Sequence, residues 1–281
     1  MIDLHTHTTA SDGILTPRAL IDHAIERGVN VLAITDHDTI DGLAEAEAYS
    51  KDKKIEFVPG VEFSIAYDPG TFHLVALCID YKEESLLKKL DLFAEKRSSR
   101  AQRMVEDLIA HNIKISMNEV LEEAAGGVLG KPHIARVLVK RGYAADFSSV
   151  FKNYLEEGLP GHVPKEKIVF EGAMDIIKKA GGIAILAHPA SLEISDKNEF
   201  RKLLSELVAG GLVGIEVYSE INSPEQIQFY LELAKEFNLL VSGGSDFHGD
   251  KGERIGYYSK TNPVPVHLYS AIKTYHEKKL S

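Results

Sequence analysis

The chain has 281 residues, of which 44% are apolar and 26% are charged, and its formal net charge is −10. This composition is that of a globular protein with a large core, and the acidic balance argues against a protein that binds long duplex nucleic acid through its phosphates. The single cysteine, Cys78, excludes a disulfide framework, and no apolar run reaches membrane-spanning length, so we expect a cytoplasmic protein without a signal peptide.

The first 82 residues alternate between short apolar runs and helical patterns. The runs are rich in Val, Ile, Leu and Ala and show little alternation, which is typical of strands buried on both faces of a parallel sheet. The first helical segment begins with a Thr-Pro capping signal. In chain order the elements are strand Ile2–Thr8, helix Thr16–Arg27, strand Val29–Asp36, helix Gly42–Ser50, strand Ile55–Phe63 and strand His73–Ile79.

The middle of the chain, residues 83–167, interrupts this alternation with helical patterns alone. It holds 14 lysines and arginines against 13 aspartates and glutamates, whereas the rest of the chain holds 18 against 29. We therefore predict a helical insertion over residues 83–167, in the one part of the chain that would attract an anion. Its predicted helices are Glu83–Asn112, Met117–Ala125, His133–Arg141 and Phe147–Glu156.

The alternation of strands and helices resumes after the insertion. Together with the first 82 residues, these units predict an α/β barrel built from residues 1–82 and 168–281. The elements of the second part are helix Glu171–Lys179, strand Gly182–Ala187, helix Phe200–Ala209, strand Leu212–Tyr218, helix Pro224–Phe237 and strand Leu239–Gly243.

Histidines and carboxylates stand where the predicted strands end. In an α/β barrel these ends form one rim, and active sites lie there. His73 begins its run instead, so it reaches the rim only if its strand is antiparallel or if the preceding loop carries it. The full set at strand ends is His5, His7, Asp36, His37, Glu62, His73, His188, Asp246 and His248.

Convergent imidazoles and carboxylates indicate a metal site. Buried carboxylates repel one another and lose hydration, a penalty that divalent cations remove. His5 and His7 are alternate residues of a strand, so both can reach one ion. A mixed set of nitrogen and oxygen ligands suits Zn, Mn or Fe. A lone histidine at a strand end is more often structural, but that interpretation does not explain six of them on one rim.

The motifs HTH…SDG, TDHDT, PGVE, AHP and GSDFH, together with the isolated His73, resemble those of the PHP family (polymerase and histidinol phosphatase) and follow the family's order. The position of the insertion resembles the small phosphoesterase branch that includes 3′,5′-nucleoside bisphosphate phosphatase. This resemblance implies a distorted (β/α)7 TIM-like barrel that holds three metal ions.

The resemblance also implies a ligand set, because every position of the family's motifs carries the expected residue type. One ion would bind His5, His7, Glu62 and Asp246, a second would bind Asp12, His37 and His248, and a third would bind Glu62, His73 and His188. Glu62 would then bridge two ions. The expected cofactors are two to three divalent ions of Mn, Zn or Fe.

Clustered divalent ions suit the hydrolysis of a phosphate ester, because they polarise phosphoryl oxygens and lower the pKa of a bound water. The expected nucleophile is a metal-bound hydroxide, so Ser245 and Cys78 are expected to be structural. Asp36 adjoins a ligand, and we expect it to orient a histidine or to protonate the leaving group.

The insertion offers donors for the rest of the substrate. Arg97 and Arg100 lie three residues apart on one helix face, and the stretch LGKPHIAR places Lys131, His133 and Arg136 near a predicted helix N-terminus. Each of these residues alone is compatible with an ordinary solvated surface charge. As a group, we expect them to form a lid that binds a second phosphate or a nucleotide.

The expected function is hydrolysis of a phosphate monoester of a small nucleotide, with a 3′,5′-nucleoside bisphosphate such as pAp as the candidate substrate. Three alternatives use the same motifs: a 5′–3′ exoribonuclease on short oligonucleotides, a histidinol-phosphate phosphatase, and a non-catalytic module associated with a polymerase. We expect no binding to long duplex nucleic acid or membranes, and no obligate protein partner.

Overall fold

The computed structural model describes residues 1–124, 129–164, 167–249 and 252–280. Within these residues the strands form one seven-stranded sheet in sequence order. The sheet nearly closes on itself, because the amide of Leu4 donates to the carbonyl of Gly243 and that of His7 donates to the carbonyl of Phe247. The strands are β1 (Ile2–Asp3), β2 (Val31–Ile34), β3 (Glu56–Ile65), β4 (Phe72–Leu77), β5 (Ile183–Leu186), β6 (Gly214–Tyr218) and β7 (Leu240–Gly243). This architecture confirms the predicted distorted barrel.

Strand β4 runs antiparallel to both of its neighbours, whereas the other pairs in the sheet are parallel. Only residues 66–71 separate β3 from β4. A parallel crossover needs a dozen residues or more, so this short connection can only form a hairpin. A fully parallel sheet is therefore the wrong expectation at β4, and the antiparallel alternative raised for His73 is confirmed.

The helices lie between the strands and in the insertion. Side chains cap several of them: Thr16 accepts the amide of Ala19 at the first helix, and Ser223 and Gln226 form a reciprocal capping box. Their bounds are α1 (Pro17–Glu26), α2 (Leu43–Ser50), α3 (Glu84–Ala110), α4 (Met117–Ala124), α5 (Lys131–Lys140), α6 (Phe147–Val150), α7 (Phe170–Lys179), α8 (Lys197–Ala209), α9 (Pro224–Glu236) and α10 (His267–Leu280). None of the described helices is both long and apolar enough to cross a bilayer.

Helices α3 to α6 lie between β4 and β5 and share a hydrophobic cluster separate from those of the barrel. Met104, Leu108, Ile134 and Leu138 are fully or almost fully buried in that cluster. Helix α5 begins two residues before its predicted start, and α6 continues as a π-helical turn. Ala125 of the predicted second helix lies outside the described residues, and the limits 83–167 of the insertion stay a prediction.

Helix α10 covers the amino ends of the strands. Its residues Leu268 and Ile272 join the cluster that fills the barrel interior. Tyr269 and Lys273 both donate to the carboxylate of Glu56, the first residue of β3, at 2.7 Å. The amino end of the barrel is thus filled and closed, which leaves the carboxyl rim as the open end.

Candidate metal centre

The nine residues implied as ligands come together at the carboxyl rim. His5 and His7 follow β1, Glu62 lies within β3, and His73 lies in β4 opposite Ser64. The others are Asp12, His37, His188, Asp246 and His248, which lie in the loops that follow β1, β2, β5 and β7.

The two histidines of the first motif point the same way because side chains alternate along an extended chain. Thr6, between them, donates its hydroxyl to the carbonyl of Ala33 at 2.6 Å and so faces the neighbouring strand. The rings of His5 and His7 lie on the rim with their centroids 5.2 Å apart. The motif therefore delivers two imidazoles to one place.

Ligand atoms gather into three overlapping groups, in each of which they lie within 4.8 Å of one another. The first group is the same as the first implied ligand set. The second group contains the second implied set and His7 in addition. The third group differs from the third implied set because it contains His37 in place of His188. His188 is still close, since its Nε2 lies 3.0 Å from Glu62 Oε1 and 3.3 Å from His73 Nδ1. The groups are His5, His7, Glu62 and Asp246; His7, Asp12, His37 and His248; and His37, Glu62 and His73.

Glu62 stands at the centre of the cluster and is completely buried. Its Oε1 lies 3.0 Å from His73 Nδ1, and its Oε2 lies 2.9 Å from His37 Nδ1. Burial alone would raise the pKa of Glu62, but His37, His73 and His5 outweigh that effect and hold the pKa well below its usual value. The central carboxylate is therefore anionic and needs cationic partners.

The surrounding imidazoles cannot all supply that charge. Burial, together with His248 and His37, lowers the pKa of His7 to about 3. Burial likewise lowers the pKa of His73 to about 4, although Glu62 opposes the shift. Both rings are thus neutral near pH 7, and a neutral imidazole offers the lone pair that a metal ion requires.

Several atoms of the cluster lack hydrogen bonds. Among the described residues, His5 Nε2 and His7 Nδ1 are buried and have no hydrogen-bond partner. Glu62 Oε2 is buried too, and its 2.9 Å approach to His37 Nδ1 lacks the geometry of a hydrogen bond. Leaving a buried polar atom unsatisfied costs about 1–3 kcal/mol. Divalent ions would satisfy these atoms and offset the negative charge, and the mixed nitrogen and oxygen set suits them. The residues therefore fit a cluster of divalent metal ions.

Glu216 of β6 supports the cluster from behind, and the sequence reasoning missed it. Its Oε1 lies 3.1 Å from His5 Nδ1, and its Oε2 accepts the backbone amide of His188 at 2.6 Å. His188 has φ of 23°, a strained conformation for a residue with a side chain. The available signal was a glutamate inside the buried apolar run GIEVY, since a carboxylate there requires buried partners.

Asp3 of β1 is a second buried carboxylate that sequence reasoning missed. It accepts the amides of Ser245 and Gly256 and the hydroxyl of Ser245, at 2.6–3.0 Å. Burial raises the pKa of Asp3 to about 6, even though these hydrogen bonds lower it. Asp3 thus ties β1 to the segment that carries Asp246, and the contacts of Ser245 agree with a structural role.

Asp36 lies behind the rim and orders the turn that leads to Asp12. Its Oδ1 accepts the amide of Thr8 and the hydroxyl of Ser11, and its Oδ2 accepts the hydroxyl of Thr8, at 2.6–2.7 Å. Burial raises the pKa of Asp36, although these hydroxyl groups lower it. These described contacts are with Thr8 and Ser11 and include no histidine, so the expectation that Asp36 orients a histidine or protonates the leaving group stays a prediction.

A cavity of about 270 Å³ lies between the cluster and the insertion. Asp12, His37 and His73 line it on the barrel side. The insertion side includes four of the five predicted substrate-binding residues: Arg97, Arg100, Lys131 and His133. A ligand in this cavity would touch the metal ligands and the basic side chains together.

The basic residues of the insertion already make local contacts. Arg100 Nε donates to the carbonyl of Val163 at 2.7 Å, and Lys131 Nζ donates to the carbonyl of Leu155 at 2.6 Å. Arg136, the fifth predicted residue, is not part of the cavity lining. Its Nη2 is buried without a hydrogen bond to any described residue. These contacts place the cations while leaving other N–H groups for a ligand.

Comparison with known proteins agrees with this geometry. A family model described as the PHP domain matches residues 3–171. The 5′-3′ exoribonuclease Rnm of Escherichia coli is 38% identical over 248 residues, which are 88% of this chain and 84% of that protein. The 3′,5′-nucleoside bisphosphate phosphatase of Chromobacterium violaceum is 36% identical over 266 residues, or 94% and 93% of the two chains. The solved structure of a candidate metal-dependent phosphoesterase from Bifidobacterium adolescentis is 30% identical, with a TM-score of 0.86 and coverage of 97% and 95%.

Proposed function

Because this chain belongs to the PHP domain family and is a metal-dependent phosphoesterase of that family, we propose that it hydrolyses a phosphate monoester of a small nucleotide, such as a 3′,5′-nucleoside bisphosphate. The observation that carries this proposal is the cavity in which Asp12, His37 and His73 face Arg100, Lys131 and His133. A substrate with two phosphates matches a site that has a metal centre on one wall and fixed cations on the other.

Two to three divalent ions of Mn, Zn or Fe are the proposed cofactors, and the nine implied ligands would hold them. When bound, the ions would polarise the phosphoryl oxygens, neutralise developing charge and lower the pKa of water. Glu62 lies within 3.5 Å of imidazole nitrogens of His5, His7, His37, His73 and His188, which supports its role as the shared ligand.

The remaining steps belong to the chain's own residues. Neutral His7 and His73 present lone pairs to the centre, and Asp36 holds the turn that positions Asp12. Arg100, Lys131 and His133 would bind the second phosphate, and Arg136, one turn after His133 on α5, would add charge behind them.

The experiment is a release assay for inorganic phosphate with purified protein, Mn²⁺ and a panel of substrates. We expect pAp to be hydrolysed faster than a nucleoside 5′-monophosphate, because a compound with one phosphate leaves the cations of α3 and α5 without a partner. Faster turnover of histidinol phosphate than of pAp would overturn the nucleotide assignment. Absence of turnover on every compound, combined with co-purification of a polymerase, would support the non-catalytic alternative.

A second candidate is stepwise 5′–3′ hydrolysis of short RNA. It is favoured by the relative named as an exoribonuclease, whose alignment covers 88% of this chain. The same cations would then bind the 5′-terminal phosphate of an oligonucleotide. Incubation with 5′-phosphorylated dinucleotides separates the two functions, since release of mononucleotides supports trimming and phosphate release from pAp alone supports the phosphatase.

The proposed surroundings of the enzyme follow from the same features. Its partners would be small phosphorylated nucleotides or short oligonucleotides, since long duplexes suit a basic surface and this chain carries a net charge of −10. Cys78 is a free thiol, which supports a reducing cytoplasm as the compartment.

A further inference from the structure

We infer that Arg97 of α3 is a positioning residue of the metal centre, which fastens the insertion to the end of β2 and thereby holds His37 in its ligand position. The sequence alone assigned Arg97 to the substrate, together with Arg100. The inference rests on the proposed metal centre, because His37 is one of its proposed ligands.

The guanidinium of Arg97 is committed to the backbone around His37. Its Nη1 donates to the carbonyl of His37 at 3.0 Å, and its Nη2 donates to the carbonyl of Asp38 at 2.7 Å. The carboxylate of Asp38 lies 3.4 Å from Nη1 and balances the charge. Only 10% of the Arg97 side chain is exposed. Both terminal nitrogens thus donate to the protein itself, whereas the buried Nε has no hydrogen bond to any described residue.

The backbone that Arg97 holds is strained and sits at the centre of the site. Asp38 has φ of 48°, so the chain turns sharply directly after His37. On its other side the segment is fixed to β3, since the amide of Asp38 donates to the carbonyl of Glu62 and the amide of Ser64 donates to the carboxylate of Asp38, both at 2.9 Å. Arg97 donates to the carbonyls of His37 and Asp38 and so adds a second attachment to this segment.

Arg97 therefore links two parts of the chain that are 59–60 residues apart. His37 Nδ1 lies 2.9 Å from Glu62 Oε2, and its Nε2 lies 3.9 Å from Asp12 Oδ2, so a small rotation of the turn would disturb two of the ligand groups. The insertion then has two tasks: Arg100, Lys131 and His133 face the substrate, whereas Arg97 completes the support of a metal ligand. Loss of a residue that orients a ligand typically weakens metal affinity 10–100-fold.

The test measures metal binding without any substrate. Chelator-stripped protein is titrated with Mn²⁺, free Mn²⁺ is followed by electron paramagnetic resonance, and the metal retained after dialysis is counted. We expect Arg97→Gln to weaken at least one Mn²⁺ equivalent about 10–100-fold. Arg97→Lys, which keeps the charge but cannot span two carbonyls, should weaken it less.

Two matched variants on the same helix complete the design. Arg100→Gln should raise the KM for pAp and leave Mn²⁺ affinity unchanged, and the exposed Arg103→Gln should change neither. If both Arg97 variants bind Mn²⁺ as the unaltered chain does and only KM rises, Arg97 is a substrate-binding residue and the inference is overturned. If Arg97→Gln does not fold, Arg97→Lys decides by the same comparison. Absence of Mn²⁺ binding by the unaltered chain would overturn the proposed metal centre itself.

Discussion

Replacing Glu216 by glutamine keeps the size of the side chain but removes one negative charge and one hydrogen-bond acceptor next to His5 in the metal centre. The carboxylate accepts from two groups, the Nδ1–H of His5 at 3.1 Å and the amide of His188 at 2.6 Å. A glutamine has one acceptor oxygen, so only one of these donors can keep its bond. If the oxygen stays with His188, the new NH₂ group faces Nδ1 of His5 and forces the proton of that ring onto Nε2.

That proton transfer would remove a metal ligand. His5 Nε2 faces Glu62 Oε1 at 3.3 Å and Asp246 Oδ1 at 3.5 Å, so Nε2 must carry the lone pair for an ion to bind there. We expect Glu216→Gln to fold with a melting temperature close to that of the metal-free parent. We also expect a loss of about 10–100-fold in metal affinity, and in turnover at limiting metal.

Glu216→Ala is expected to be worse, because it leaves two buried donors without acceptors at about 1–3 kcal/mol each. For a chain of this size such a loss lowers the melting temperature by about 2–4 °C per kcal/mol. The measurements are Mn²⁺ titration, thermal melting and phosphate release, with the exposed Glu220→Gln as the control on the same segment. Unchanged Mn²⁺ affinity in Glu216→Gln would refute the reasoning that Glu216 selects the proton position of His5.

Three further results are expected. His7→Ala and Asp246→Ala should each abolish turnover in the phosphate-release assay while circular dichroism shows a folded chain, since both residues sit at the rim; full activity in either would contradict the ligand assignment. Chelation should lower the melting temperature reversibly, because ions at 100 times their dissociation constant stabilise the fold by about 2.7 kcal/mol, and a melt indifferent to EDTA would argue against metal binding. The pKa values of His7 and His73, about 3 and about 4, lie below the unfolded value of about 6.5, so the unfolded chain binds more protons between pH 7 and pH 5. Acidification over this range should therefore lower the free energy of unfolding of the metal-free chain by about 2 kcal/mol for each of the two histidines. Asp3, whose pKa is raised to about 6, opposes this effect in the parent. Urea unfolding of the parent and of His73→Gln at both pH values therefore checks it, and the same pH dependence in the two chains would contradict a neutral His73.

Much of the fold could be predicted because its signals are local. Apolar runs, capping residues and the switch to continuous helix after residue 82 each depend on a few neighbouring residues, and they indicated the barrel and the insertion. The direction of β4 was left open. It depends on the length of one connection, residues 66–71, and on pairing with β5, which follows more than a hundred residues later.

The histidines and carboxylates at the strand ends were also accessible from the sequence, since they stand out in apolar runs. The full ligand set, including Asp12, was implied by the resemblance to the PHP family and stays a prediction. The supporting residues were not accessible in this way. Glu216 carried one signal, its place inside the apolar run GIEVY, which the sequence reasoning did not use. Nothing in the residues next to Asp3 and Arg97 distinguishes them from ordinary solvated charges.

The sequence by itself determined which residue types are present to bind metal ions and that strands would carry them to one rim, because alternation along a strand is a local property of the backbone. Only the tertiary structure decided which carboxylate faces His5, which arginine is held by the backbone at His37, and which cations remain for a substrate. Those choices depend on distances between segments 59–211 residues apart. A buried polar group is costly unless it is hydrogen-bonded, so the partner segment must place an atom at hydrogen-bond distance.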